Sequence, residues 1–164
     1  MKSEVKSGGI WNRSHYLDRM TLNELWVAYF QYPAIIAYIV LSAVSIGVWF
    51  AYPASALQTA AAVATVVVAY PLIWYALHRR VLHSNWMFKV PFLASTWKRI
   101  HYDHHQDPNH LEVLFGALHT TLPTIAGVSI PIDYLIGGVG GGAAALAAGL
   151  LTTCVHEFVH CIQH

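Results

Sequence analysis

The chain has 164 residues, of which 56% are hydrophobic and only 10% charged, with a formal net charge of +1. Soluble domains carry about a quarter charged residues, so this composition cannot clothe a water-facing surface and defines a membrane protein with length for one domain. The near-neutral balance gives no reason to expect nucleic acid as a partner, and six Trp and nine Tyr suit the aromatic belts of a bilayer interface.

Residues 1–33 read as a cytosolic or interfacial segment, polar at first with Lys2, Lys6, Arg13 and Arg19. Thr21 and Glu24 form a capping-box pattern ahead of an apolar run, which predicts a helix start, and Pro33 ends or kinks that helix. Residues 34–164 form the predicted membrane domain. Its first span, 34–52, has no charge and the ~20 residues that cross hydrocarbon. It is too long and too far from Met1 for a signal peptide, despite the Ala54-Ser55-Ala56 pattern, and reads as a retained anchor. Pro53 and Ser55 make a turn into a second span, 58–77, where Pro71 predicts a kink. A polar section follows over 78–110, then a third span over 111–130. The stretch 131–142, with Pro131, Asp133 and five glycines, reads as a turn, its glycines serving close packing. The fourth span, 143–155, is short enough to form a partly inserted hairpin with the third and continues into a histidine-bearing helix. The expected fold is an all-α membrane protein with about four transmembrane or re-entrant helices.

Four crossings put the end of span two, the start of span three and the end of span four on one side. Those are the places where the histidines cluster: His78 with His83, His101 with His104 and His105, and His156 with His160 and His164. All nine Lys and Arg lie on that side, so the positive-inside rule makes the histidine face cytosolic. Cys154 and Cys161 lie about two turns (~10 Å) apart, too far to bridge, and a reducing cytosol suits them.

His101, His104 and His105 at i, i+3 and i+4 share a helix face with neighbours ~6 Å apart. Two of them can serve one metal while the third reaches a second. His78 and His83 are five apart, which on an ideal helix turns them ~140° from each other. The helix must end, tighten or bulge for both to meet one centre. His156, His160 and His164 line one stripe, with Glu157 at its edge. His156-Glu157-x-x-His160 matches a zinc metalloprotease pattern, but that reading leaves five histidines without a role. A metal transporter needs ligands near mid-membrane, whereas these lie at span ends. Eight clustered histidines exceed the three or four ligands of one zinc and suit two metals. In an apolar membrane setting they point to iron and dioxygen acting on a C–H bond. Asp103 and Glu157 are the candidate acceptors that orient imidazoles. Asp107 and Glu112 read instead as loop charge or helix caps, His15 as a surface residue, His110 as a boundary residue and His119 as a hydrogen-bonded interior histidine.

As a set, His-Arg-Arg-Val-Leu-His at 78–83, His-Tyr-Asp-His-His at 101–105 and Glu-Phe-Val-His-Cys-Ile-Gln-His at 157–164 resemble the fatty acid hydroxylase/sterol desaturase superfamily of integral-membrane di-iron oxygenases. The stretch from Trp97 to Pro123 looks especially like its bacterial members, and the resemblance runs from the second span to the end. It implies two Fe ions, O2 as co-substrate, and hydroxylation or desaturation of a fatty acyl chain or sterol-like lipid. It also implies an external electron donor of cytochrome b5 or ferredoxin type and a home in a bacterial inner membrane or an ER-type membrane. By position, His78, His83, His101, His104, His105, His160 and His164 match family ligands. His156 falls where relatives often carry an aromatic residue or another histidine, and its stripe geometry keeps it as a ligand or close neighbour. The family pattern ends on a further His-x-x-His-His beyond the point matching His164, so the sequence is expected to be a C-terminally truncated fragment.

Overall fold

The computed structural model describes residues 15–84 and 86–163; His164 and the basic residues Lys2, Lys6 and Arg13 lie outside them. The described residues are helical and form no named strand. In chain order they give α1 (Leu22–Gln31), α2 (Pro33–Ala51), α3 (Ala56–Leu77), α4 (Trp86–Lys89), α5 (Pro91–Trp97), α6 (Asp103–Gln106), α7 (Leu111–Leu114) and α8 (Leu118–Gln163). Two π turns, His78–Leu82 and Lys98–Tyr102, follow α3 and α5.

Local chemistry accounts for the starts. Glu24 N–H donates to Thr21 Oγ1 at 3.3 Å while the Glu24 carboxylate accepts from Thr21 N–H at 2.8 Å, the predicted capping box. Pro33 occupies the first position of α2, where its missing N–H costs nothing. Ser55 does more than turn the chain. With Gln58 it forms a second capping box, opening α3. Pro71 is accommodated inside α3, with no break in the helix.

Segments 33–51, 56–82 and 111–163 are long and apolar enough to cross a membrane. The last is not straight. Its helix breaks at Gly137 and Gly138, and Gly138 has φ +61°, a conformation that only glycine adopts cheaply. The limbs, 118–136 and 139–163, fold against each other. A Cβ on Gly141 would lie 2.4 Å from the Asp133 carbonyl oxygen, and one on Gly149 would lie 2.8 Å from Ser129 Oγ. The turn expected over 131–142 is therefore only two residues long. Pro131 and Asp133 stay helical, because an apolar surrounding offers unpaired backbone no substitute for helical hydrogen bonds. The fourth segment correspondingly begins at 139, not 143. The glycines serve packing, as expected.

The hairpin tip meets the α2–α3 turn. Gln58 Nε2 donates to the Ile136 carbonyl at 3.0 Å, and Gly140 packs directly on the Tyr52–Ala54 backbone. α2 joins the first limb through Tyr38 and Thr121, whose hydroxyls hydrogen-bond. α3 joins the second limb through Ala62, Val66 and Ala145, all buried. Leu57 and Leu135, 81% and 86% exposed, typify an outward surface that is apolar on every long helix and that lipid, not water, would cover. With one end fixed by the two turns, the start of α2, the end of α3, and both ends of α8 gather at the other. α1 lies across that end, its Tyr29 buried and donating to the Cys154 carbonyl.

Candidate metal centre

The spacing of five between His78 and His83 is resolved by a π turn. His83 N–H donates to the His78 carbonyl at 3.1 Å, an i→i+5 bond that brings residues five apart onto a common face. Their rings are 4.9 Å apart and their Nε2 atoms 3.1 Å apart. The second π turn sets His101 relative to His105; their rings are 4.5 Å apart. The His101 ring also lies 4.5 Å from that of His83 and 5.3 Å from that of His78. The two π turns are tied to each other by Trp97, whose Nε1 donates to the Leu82 carbonyl at 2.7 Å.

Ligand nitrogens of His78, His83, His101 and His105 all lie within 4.8 Å of one another. Imidazole nitrogens bound ~2.1 Å from one ion lie at most ~4.2 Å apart, so a small contraction would close this group on a cation. The donor set fits a transition metal: four imidazoles and no carboxylate. His101 is 5% exposed, and its Nδ1 has no hydrogen-bond partner among the described residues. Burial, and then the facing imidazoles of His105, His83, His78 and His104, push its pKa down to about 4. Its ring is therefore neutral near pH 7, with a lone pair to give.

A second group adjoins the first. The His104 ring lies 5.1 Å from that of His160 and 5.6 Å from that of His105, and the His156 and His160 rings stack at 6.2 Å. His156 is flanked by Tyr70 at 5.9 Å and Trp74 at 6.3 Å. All seven described histidines of the candidate set therefore stand together at one end of the bundle, although they come from three separate segments.

The two candidate carboxylates have other neighbours. Asp103 contacts Lys98 across the second π turn. Glu157, placed at the edge of the stripe by its spacing, is 4% exposed and accepts the Gly116 backbone N–H. His110 stands at the start of α7, the boundary place expected of it, and His15 is part-exposed, with Glu112 lying against both. His119 is exposed on the outside of the bundle instead of hydrogen-bonded within it. Cys154 and Cys161 are free thiols, as expected.

A cavity of ≈510 Å³ borders the histidines. His78, His104, His156 and His160 contribute to its wall, and Trp74, Leu77, Val81, Leu82 and Leu114 make it apolar. Thr120, Thr121 and Thr124 carry it down the first limb of α8, and nothing in the sequence reading singled these threonines out.

A family model described as fatty acid hydroxylase matches residues 63–164, well over half of the chain and the whole of the described histidine centre. No curated protein and no solved structure matches. The histidine groups gathered at the ends of apolar helices fall within the matched region, and the chain belongs to the fatty acid hydroxylase family, with the lipid hydroxylase or desaturase kind of oxidoreductase function that membership carries.

Proposed function

We propose that the chain is an iron- and O2-dependent oxygenase that hydroxylates or desaturates an acyl chain or sterol-like lipid at a two-iron histidine centre. The observation that carries this is the pair of adjoining imidazole groups, linked through His104 and His105, on the wall of an apolar cavity. One iron fits His78, His83, His101 and His105. The other fits His104 and His160, with His156 beside them; His164, a candidate by sequence, lies outside the described residues. Bound there, the irons would supply the dioxygen chemistry that no side chain can perform on an unactivated C–H bond.

The chain's own residues do the rest. The cavity holds the lipid's apolar stretch against the histidine wall and keeps bulk water away from it. Asp103 and Lys98 brace the turn that carries His101, and Glu157 fixes the Gly116 backbone beside His156. Electrons come from a separate cytochrome b5 or ferredoxin type protein that approaches the histidine face. Arg79, Arg80, Lys89 and Lys98 are exposed on that face, which supports a cytosolic orientation.

The test is purification from a membrane host grown with iron, followed by metal analysis and lipid profiling with and without oxygen. About two irons per chain and an oxygen-dependent hydroxylated or desaturated lipid are expected. A chain without iron and without an oxygen-dependent lipid product overturns the reading.

A further inference from the structure

Outside the histidine groups, the beginning of the described chain folds back onto the turn that follows the His101–His105 segment. Glu112, in the first turn of α7, uses both carboxylate oxygens there. Oε1 accepts from His15 Nδ1 at 2.8 Å and from the His15 backbone N–H at 3.1 Å. Oε2 lies 2.9 Å from His110 Nε2, an ion-pair distance without hydrogen-bond alignment. The backbones join as well: Leu111 N–H donates to the His15 carbonyl at 2.9 Å, and Leu17 N–H donates to the Asn109 carbonyl at 2.8 Å. Tyr16 stacks on His110 at 5.1 Å, and Leu17 and Met20 pack against the core. Residues 15–20 are thus a strap laid across 107–112.

The strap matters because of what precedes the turn. α6, which carries His104 and His105, is the last turn of a continuous helical stretch that runs from Pro91 through the second π turn to Gln106, and such an end frays unless its neighbours hold it. Upstream it is held by the Trp97 bond to Leu82. Downstream, Asp107 N–H donates to the Asp103 carbonyl at 3.0 Å, and the next anchor is the strap. This one segment supplies imidazoles to both histidine groups.

We propose that Glu112 is a positioning residue for the metal centre: by binding His15 and His110 together it locks the N-terminal strap over the 107–112 turn, and so fixes the His101–His105 segment in the arrangement that receives metal. The proposal rests on the metal-centre reading above. It makes residues 15–20, which lie outside the matched family region, a working part of the centre.

The test uses the whole chain, metal-free, in lipid nanodiscs, with Co(II) as the probe titrated in and followed by its visible absorption bands. Glu112→Gln keeps the shape but removes the charge and one acceptor. It should weaken Co(II) binding by about tenfold, the lower end for residues that orient ligands, and shift the bands. His15→Ala should do the same, the double variant should be no worse than either single one, and His15→Gln, which restores an N–H donor, should recover most of the loss. Should Glu112→Gln fail to fold, the His15→Ala and His15→Gln pair carries the test. Unaltered affinity and spectrum in the His15→Ala and folded Glu112→Gln variants sink the positioning role alone. Absence of Co(II) uptake by the unaltered chain sinks the metal-centre reading, and the positioning role with it.

Discussion

His104 and His105 are sequence neighbours, yet their rings, 5.6 Å apart, face different partners: His105 stands 4.5 Å from His101, and His104 stands 5.1 Å from His160. One peptide bond therefore bridges two imidazole groups. Adjacent residues on a helix point ~100° apart, so the pair reaches two centres with no strain in the backbone.

The division predicts selective loss. His105→Ala should lower bound metal from about two to about one per chain by emptying the four-histidine group, and His104→Ala should do so by emptying the other. The double variant should hold almost none. Metal analysis checks it; a single variant that loses both ions together would mean one indivisible site.

The break in α8 predicts a graded response to added methyl groups. A Cβ on Gly140 would lie 2.1 Å from the Tyr52 carbonyl oxygen, a backbone atom that cannot swing away, whereas Gly127 has nothing within 4 Å. Gly140→Ala should cost about 1–3 kcal/mol, the range for overpacking, and Gly127→Ala should be neutral or slightly stabilising through helix propensity. Unfolding in mixed micelles measures both, and equal stability of the two variants would mean that the tip does not touch the α2–α3 turn as described.

How legible was this arrangement beforehand? The starts of α1 and α2 were readable because Thr21, Glu24 and Pro33 act within one turn of themselves. The histidine face was readable because apolar runs count crossings, and crossings assign sides. The length of the hairpin turn is not legible locally: Pro131 and Asp133 carry turn chemistry in water, but in an apolar surrounding the helix runs through them to the glycine pair at 137–138. The π turn at His78–Leu82 was legible only as a demand, since a spacing of five fails on a regular helix. Nothing local could reveal the pairing of Glu112 with His15, because the two are 97 residues apart. The cavity threonines escaped for a similar reason. They line a space that exists only once α3 and both limbs of α8 are assembled.

Acid should loosen the metal-free centre. In the unfolded chain His101 titrates at its ordinary ~6.5, and in the fold its pKa is pushed down to about 4. Between those values the unfolded state binds more protons, so stability falls as pH drops through the window. Replacing His101 by Asn should flatten the slope of stability against pH between about 4 and 6.5. An unchanged slope would show that His101 is not held neutral in the folded chain.

The cavity makes the last prediction. Thr124 lies furthest along the cavity's threonine stripe, a full turn beyond Thr120 and away from the histidines, and its hydroxyl is already committed to the Thr120 carbonyl at 2.8 Å. Thr124→Phe therefore sacrifices no contact that holds the site, and its ring would fill the far part of the space. Metal content should stay at the wild-type level, because no histidine is disturbed. Turnover of a long-chain lipid should fall by about tenfold or more, since misplacement of a reacting carbon by ~1 Å costs up to about a hundredfold. A substrate several methylenes shorter should be spared. Product analysis across a chain-length series distinguishes the outcomes: uniform loss at every length would point to damage at the centre, and no loss at any length would mean that the lipid enters by another route.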